Sequence, residues 1–299
     1  MSMSDLALSQ TLSNQLSNKM TEVQTLQTQI ASGQALNQPS DNPAAVTQVL
    51  ALSSQASQIT SWQANAETAS SWLGTANGVA NSVIETMSSA NTLLLQASNQ
   101  GAQTPGGYEA IGRQLQGMVT NLLQLANTQY DGHALFAGTA ATTTAYDASG
   151  NYLGNNDTRT VIIGAGPGSG QSVGLSVPGT AMFGSGASNV FATLTTVANE
   201  LLTGSPTSGA ISSALTALSG NFASAQQASV ELGNASQQSS MAGASLTTQL
   251  SNVQANSANL KDVNLAQATT QLQLDTTSYQ AALWAASQAI PETLMKFVP

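Results

Sequence analysis

The sequence has no cysteine, a single histidine and very little charge. Without cysteine the chain can form neither disulfides nor thiolate metal sites, and it has no cysteine nucleophile. One histidine, His133, is too few for a multi-histidine metal site, and no other histidine can pair with a nucleophile. We therefore expect no catalytic residue, no metal site and no cofactor, and we predict that the protein is not an enzyme.

Charged residues make up 6% of the chain, against about 25% in an ordinary globular protein. The five lysines and arginines are scattered, whereas binding to phosphates of nucleic acid requires clusters of them. No segment is apolar enough to insert into a membrane, and the N-terminus lacks the basic start and apolar core of a cleaved secretion signal. Binding to nucleic acid and membrane insertion are therefore not expected, and a protein acting outside the cell would need another export route.

The 299 residues divide into three regions of different composition. Residues 1–132 and 189–299 are typical of helices, whereas residues 133–188 are rich in glycine, threonine and proline with short β-branched runs. We predict a mainly α-helical fold with a small β-rich middle domain, and long antiparallel terminal helices that form a coiled-coil-like bundle. The predicted segments are an N-terminal assembly helix and loop (1–45), a helical arm (46–132), a β-rich outer domain (133–188), a second helical arm (189–245) and a C-terminal assembly helix (246–299).

Apolar residues recur with heptad spacing near both ends of the chain. A lone helix of this kind cannot bury its apolar stripe, so the two ends are predicted to pair antiparallel with each other. Lys19 occupies a stripe position in the first helix, and Ser257 and Asn264 are polar residues within the C-terminal stripe. Because few charges flank the stripes, packing between molecules is favoured over an ordinary internal core. The predicted assembly residues are Leu12, Leu16, Val23, Leu26, Ile30, Leu246, Leu250, Val253, Leu260, Leu272, Tyr279, Leu283 and Ile290.

Glycine, asparagine and proline predict where the first helix ends and the second begins. Gly33 is typical of a C-cap, and Asn42 followed by Pro43 is typical of an N-cap. Ser40 and Asp41 are alternative caps.

The second helix is predicted over about residues 43–100, with Gly74 and Gly78 as the points where it would be interrupted. A third helix is predicted to start after Pro105 and to end near Tyr130.

The middle region carries strand and turn signals. Residues 161–163 and the alternating residues of 173–177 indicate strands. Residues 146–152 indicate a hairpin that turns at Ser149-Gly150, and Pro178-Gly179 indicates a turn.

Few residues point to chemistry. The glycine-rich loop 164–170 lacks the lysine and serine or threonine of a phosphate loop, because Gln171-Ser172 follows it, so a hairpin loop is favoured. Asp131 and His133 flank Gly132, but no third metal ligand lies nearby, and a turn at a helix end is favoured. The 14 carboxylates are scattered, and acid–base catalysis would need folding to bring two of them together.

Residues 30–45 resemble the N-terminal signature of the flagellin superfamily. Within them, the pattern of residues 39–43 is closer to the hook–filament junction members, the third hook-associated proteins, than to flagellin itself. Residues 132–138 are similar to the segment that opens the central domain of those members. Further similar segments are residues 152–154, 159–163, 177–183, 260–266, 279–283 and 293–294. The residues that match family motifs, and to which the resemblance implies a structural role, are Gly33, Pro39, Ser40, Asp41, Pro43, Phe136, Gly138 and Asp262.

The sequence also departs from the family pattern. Gln34 stands where the family usually has a basic residue, and Asn42 and Asn264 stand where it usually has acidic ones. Pro291 is not part of the pattern and is predicted to kink or stop the last helix. These differences concern particular polar contacts between subunits and leave the expected architecture unchanged.

The resemblance implies a structural component of the bacterial flagellum, located outside the cell at the hook–filament junction. Such proteins are exported unfolded through the flagellar type III apparatus and form a ring with copies of themselves. Their terminal helices pack as an axial tube and tend to be disordered in the free monomer. The implied partners are the neighbouring hook-associated protein, flagellin, and a cytoplasmic export chaperone that holds the C-terminal region.

Two other interpretations remain open at this point. A short flagellin, the filament subunit, would share the fold, the export route and the terminal helices. A secreted adhesin or binding module would instead have a stable monomer and a groove in the β-rich domain. An enzyme is the remotest interpretation, because it would need carboxylates that converge in a pocket.

Overall fold

The computed structural model describes residues 3–99, 104–165 and 170–289. By internal contacts the chain forms two compact units, which we call the terminal unit (residues 1–58 and 249–299) and the central unit (residues 59–248). The described helices are α1 (Met3–Ser32), α2 (Pro43–Ser98), α3 (Pro105–Ala126), α4 (Gly179–Phe183), α5 (Val190–Leu202), α6 (Ser208–Lys261) and α7 (Leu265–Ala289), with a 3-10 turn at Gly186–Ser188. The described strands are β1 (Gln129–Tyr130), β2 (His133–Ala134), β3 (Thr160–Gly164) and β4 (Gln171–Gly174). The predicted fold class, mainly α with a small β-rich middle, is confirmed.

The central unit has a continuous apolar core between residues 66 and 242. Within this unit α2 and α6 lie antiparallel, as two hydrogen bonds between them show. The Ser239 hydroxyl donates to the Ala66 carbonyl (2.8 Å), and the Gln63 amide donates to the Thr247 hydroxyl (3.1 Å). Helix α3 packs against α5. Gly112 allows this close approach, since a β-carbon there would lie 2.9 Å from the carbonyl oxygen of Ala198.

The β-rich middle consists of short hairpins around an aromatic cluster. Strands β1 and β2 pair antiparallel through a two-residue turn in which Asp131 and Gly132 have φ of 49° and 74°, as a type I′ turn requires. Strands β3 and β4 also pair antiparallel, with Val161 opposite Val173. The rings of Phe136, Tyr146, Phe183 and Phe191 pack at centroid distances of 4.8–5.5 Å.

The predicted hairpin at residues 146–152 is confirmed. Tyr146 pairs with Tyr152 in an antiparallel bridge, and the Asp147 N–H donates to the Asn151 carbonyl (3.1 Å). Gly150 has a φ of 79°, a conformation that residues with a β-carbon rarely adopt. Strands β3 and β4, which flank the predicted hairpin loop, pair antiparallel, but residues 166–169 of that loop lie outside the described residues.

Four predicted boundaries in the central unit were wrong. Helix α2 runs without interruption to Ser98, so neither Gly74 nor Gly78 marks a break. Pro178-Gly179 is the start of α4 rather than a free turn.

Helix α3 ends at Ala126, before the predicted end near Tyr130. The side chain of Asn127 donates to the Tyr146 carbonyl (2.9 Å) and accepts from the N–H groups of Ala145 (2.8 Å) and Tyr146 (2.9 Å). These tertiary hydrogen bonds hold Asn127 outside the helix. The predicted strand at 173–177 ends early as well, at Gly174.

In the terminal unit α1 packs antiparallel against α7. Lys19 meets Asp275, and the loop residue Gln34 pairs with Asp262, so residue numbers fall along one segment as they rise along the other. The predicted antiparallel pairing of the two chain ends is confirmed.

Candidate assembly surface

A short backbone ladder joins the two chain segments next to α1 and α7. The Ala35 N–H donates to the Lys261 carbonyl (2.7 Å), and the Val263 N–H donates to the Gly33 carbonyl (3.0 Å). Gly33 has a φ of 71°, which is the conformation of a glycine that follows a helix. The motif residues Gly33 and Asp262 therefore lie at the same place, where α1 and α6 both end.

The motif around Pro39 forms a closed turn. The Asp41 carboxylate accepts hydrogen bonds from the N–H groups of Asn37 (2.9 Å) and Gln38 (2.8 Å). The Asn42 side chain accepts from the Ala45 N–H (3.0 Å), so Asn42 is the N-cap of α2, as predicted, and Pro43 is its first residue. Pro39 and Ser40 lie exposed in this turn.

Asn264 has a different role from the one predicted. It is not a polar residue of a continuous C-terminal stripe, because α6 ends at Lys261 and α7 begins at Leu265. Its side chain accepts from the Gln267 N–H (3.2 Å), which makes Asn264 the N-cap of α7. The predicted single C-terminal assembly helix is thus two helices.

The facing residues of α1 and α7 form a line of side chains that we call the seam. The α1 side of the seam follows the predicted stripe, and each of its six residues is half-buried. The α7 side has the same heptad spacing but consists largely of small and polar residues. The α1 residues are Leu12, Leu16, Lys19, Val23, Leu26 and Ile30, and the α7 residues are Ala268, Leu272, Asp275, Tyr279, Ala282 and Ala286.

Lys19 and Asp275 make an ion pair across the seam. The Lys19 Nζ lies 3.2 Å from Asp275 Oδ1 and also bonds Glu22, and Asp275 is 6% exposed. Hydrogen bonds from Gln271 and then from Lys19 lower the pKa of the Asp275 carboxyl, against the opposing effect of burial. Hydrogen bonds with Glu22 and with Asp275 raise the pKa of Lys19. Both groups are therefore held in their charged forms at neutral pH.

The face of α7 opposite the seam is exposed and partly apolar. It carries Leu274, which is 59% exposed, and Trp284, which is 70% exposed. Thr270, Thr277 and Ala281 lie between and beside them at the same heptad spacing and are also exposed. Exposed large apolar side chains on one helix face are typical of a surface that contacts another protein.

The predicted assembly residues of the C-terminal half are found in several places. Leu272 and Tyr279 lie in the seam, whereas Leu283 is exposed beside it and Ile290 is outside the described residues, as is Pro291. The other four lie on α6 and do not join the seam. Of these, Leu246 is buried in the central unit, Val253 is buried in the terminal unit, and Leu250 and Leu260 are half-buried.

Two groups of residues in this surface were missed from the sequence. Ala268, Ala282 and Asp275 complete the α7 seam, and Leu274 and Trp284 form its outer face. A heptad template that accepted alanine, and that allowed one charge opposite Lys19, would have found the seam.

Phe136 and Gly138, the remaining motif residues, belong to the central unit. Phe136 is fully buried in the aromatic cluster. Gly138 has a φ of 67°, and a β-carbon there would overlap the backbone oxygen of Asn155.

Within the described ranges, no three or more histidine, cysteine, aspartate or glutamate residues lie together as metal ligands would. No helix in the same ranges is both long and apolar enough to span a membrane.

Residues 3–141 match the family described as the bacterial flagellin N-terminal helical region. This part of the chain is therefore similar to the flagellin N-terminal helical region, which agrees with the resemblance seen at residues 30–45. No curated protein has a significant match to the sequence.

Solved structures with the same fold include those of flagellar hook-associated proteins. One from Vibrio parahaemolyticus is 22% identical with a TM-score of 0.67, and covers 74% of this chain and 100% of its own. FlgL of Bacillus cereus is 18% identical with a TM-score of 0.60, and covers 70% and 99%. Hook-associated protein 3 of Legionella pneumophila is 13% identical with a TM-score of 0.60, and covers 71% and 98%. At these identities the likeness shows that the chain has the fold of these proteins.

Proposed function

We propose that this protein is a structural subunit of the bacterial flagellum that lies between hook and filament and forms a ring with copies of itself. The role is structural and not catalytic. Its neighbours would be another hook-associated protein on one side and flagellin on the other. The flagellin-type region at residues 3–141 and the names of the solved structures with the same fold support this role.

The terminal unit supplies the observation that carries the proposal. Among its described residues, the buried apolar side chains are Ala45, Val253, Ala268 and Ala286, three of them alanine. The central unit, by contrast, has a continuous core with many large buried side chains. Because α1 and α7 bury so little within one molecule, neighbouring copies are needed to complete their packing.

Low charge suits this arrangement. A ring places identical helices side by side, so each charged residue lies near the equivalent residue of a neighbouring copy and is repelled by it. Helix α7 has one charged residue, Asp275, and it is already paired with Lys19. The outer face with Leu274 and Trp284 can therefore approach a neighbour without like-charge repulsion.

We also propose that an export chaperone covers the C-terminal region before export. Leu274 and Trp284 are exposed apolar side chains, which a bound chaperone would bury in the cytoplasm.

A short flagellin is the second candidate, and the flagellin-type region is the observation that favours it. Both candidates use the same terminal helices. They differ in propagation, because a flagellin extends itself into a long filament and a junction subunit does not.

The proposal is tested in cells that lack this chain and are complemented with variants. Without the junction subunit, exported flagellin has no attachment site on the hook, so we expect hooks without filaments and flagellin in the medium. The parent chain should restore filaments, whereas L274S should restore few of them. L153S is the matched control, because Leu153 is also exposed but lies in the middle region, which we expect to face away from the tube. Filaments in the uncomplemented cells, or equal restoration by L274S and L153S, would contradict the proposal.

A further inference from the structure

One ion pair, between Lys19 and Asp275, connects the two seam helices. Lys19 is the only basic residue in the sequence of α1, and Asp275 is the only charged residue in the sequence of α7. Both occupy heptad positions that face the other helix, and their side chains meet at 3.2 Å. Only 6% of the residues are charged, and the other seam residues are uncharged. Because this ion pair lies between two helices, a need for solubility does not explain it.

The rest of the seam specifies alignment weakly. A slip of one heptad along α7 would place Lys19 at the level of Ala268 or Ala282, which are as small as any residue the seam contains. Such a slip would disturb little apolar packing, because alanine fills little space against the leucines of α1. The ion pair, however, would be broken completely, and Asp275 would be left in the seam without its cation.

We infer that the pair between Lys19 and Asp275 sets the register of α1 against α7. Polar or ionic groups at a single heptad position are known to fix register and partner choice, even where they add little stability. The pair thereby decides which residues of α7 lie level with which residues of α1, and so which outer faces the two helices present together. The consequence for ring assembly rests on the proposed function, but the register itself is a property of one chain.

The register can be measured as a distance between two spin labels in the full chain. Because the protein has no cysteine, cysteines introduced at the exposed residues Gln24 and Gln280 would be the only labelled sites. A slip of one heptad moves α7 by about 10 Å along α1, which changes this distance measurably. Trimethylamine N-oxide is added to favour the compact state of the free chain.

Three variants separate register from stability. The exchanged pair K19D/D275K restores the contact with reversed charges, and we expect the single distance of the parent. The apolar pair K19L/D275L should keep its helix content by circular dichroism but give more than one distance. E22Q is the matched control, since it also removes a charge beside Lys19 but leaves the contact across the seam, and it should behave like the parent.

A single unchanged distance in K19L/D275L would overturn the inference, and so would a broad distribution in the parent chain. Failure of the proposed function would be seen elsewhere, in the location of the protein on cells. A chain with the expected register that is absent from flagella would refute the junction role and leave the inference in place.

Discussion

At the scale of single residues, Gly138 makes the sharpest prediction about the central unit. Its φ of 67° and the closeness of the Asn155 carbonyl leave no room for a β-carbon. We expect G138A to destabilise the protein by about 2–4 kcal/mol, from backbone strain and overpacking together. Unfolding by urea, followed by circular dichroism, measures this change.

Gly117 provides the control for that measurement. It lies inside α3, and a β-carbon there would meet nothing within 4 Å. G117A should therefore stabilise the protein by about 0.5–1 kcal/mol, because alanine is the better helix former. If G117A and G138A changed the free energy of unfolding equally, Gly138 would not have the strained backbone conformation that the structure shows.

Three leucines of the terminal unit make a prediction of the opposite kind. Leu16, Leu26 and Leu250 are half-buried in the terminal unit and lie outside the central core. Replacing any one of them with lysine should leave the main thermal transition of the monomer nearly unchanged and should block assembly, because a neighbour would have to bury the new charge. Calorimetry and incorporation into flagella measure the two effects.

Leu115 is the comparison for these leucines, since it is fully buried in the central core. L115A should cost about 2–5 kcal/mol and lower the melting temperature clearly. If the three lysine variants lost as much stability as L115A, these leucines would belong to an ordinary core.

The structural roles of some of these residues could be predicted from the sequence, and those of others could not. The cap at Asn42 and Pro43 was predictable because capping depends on neighbours within one turn. Asp275 was not, because a single aspartate in a helix is normally exposed and only its partner on α1 explains its burial.

At the scale of elements, pairing of α1 with α7 should depend on pH. The pKa of Asp275 is lowered in the folded chain, so its contribution to stability is present above the ordinary value of 3.8 and is lost as the pH falls through the lower, folded value. The pKa of Lys19 is raised, so its contribution is present below 10.5 and is lost only above that pH. We expect the helix pair to hold at neutral pH and to weaken in acid below about pH 3.8.

The acid effect is isolated by comparison with D275N. The helix signal of the parent should fall more steeply between pH 7 and pH 2 than that of D275N, while the other carboxylates contribute equally to both. Identical titration curves would mean that Asp275 does not support the helix pair.

The helices were predictable where periodicity and caps agree, as in α1 and at the start of α2. The break between α6 and α7 was missed because the heptad spacing continues on both sides of it, and the stop is made by backbone hydrogen bonds to residues 33–35. The hairpin at Asp131-Gly132 was missed for a related reason. The residues typical of its turn directly follow a helix that was predicted to run to Tyr130.

At the scale of the whole molecule, the difference in burial between the two units predicts the pattern of proteolysis. The central unit has a continuous core, whereas the terminal unit buries few large side chains among its described residues. In dilute monomer we expect protease to remove the terminal segments first and to leave a resistant fragment close to residues 59–248. The idea is falsified if the terminal segments are as resistant as this fragment.

The sequence composition predicted that the two ends differ from the middle, but not where the units divide. The predicted boundaries near residues 45 and 246 stay a prediction, while the contacts divide the chain within α2 and α6. A boundary inside a continuous helix leaves no glycine or proline signal, so only tertiary contacts can reveal it.

The most direct test of the junction role is immunogold electron microscopy on intact cells of the source organism. We predict label confined to a single position on each flagellum, where the hook meets the filament. Label along the whole filament would contradict the junction role and make the protein a flagellin. Label away from any flagellum would refute both candidates.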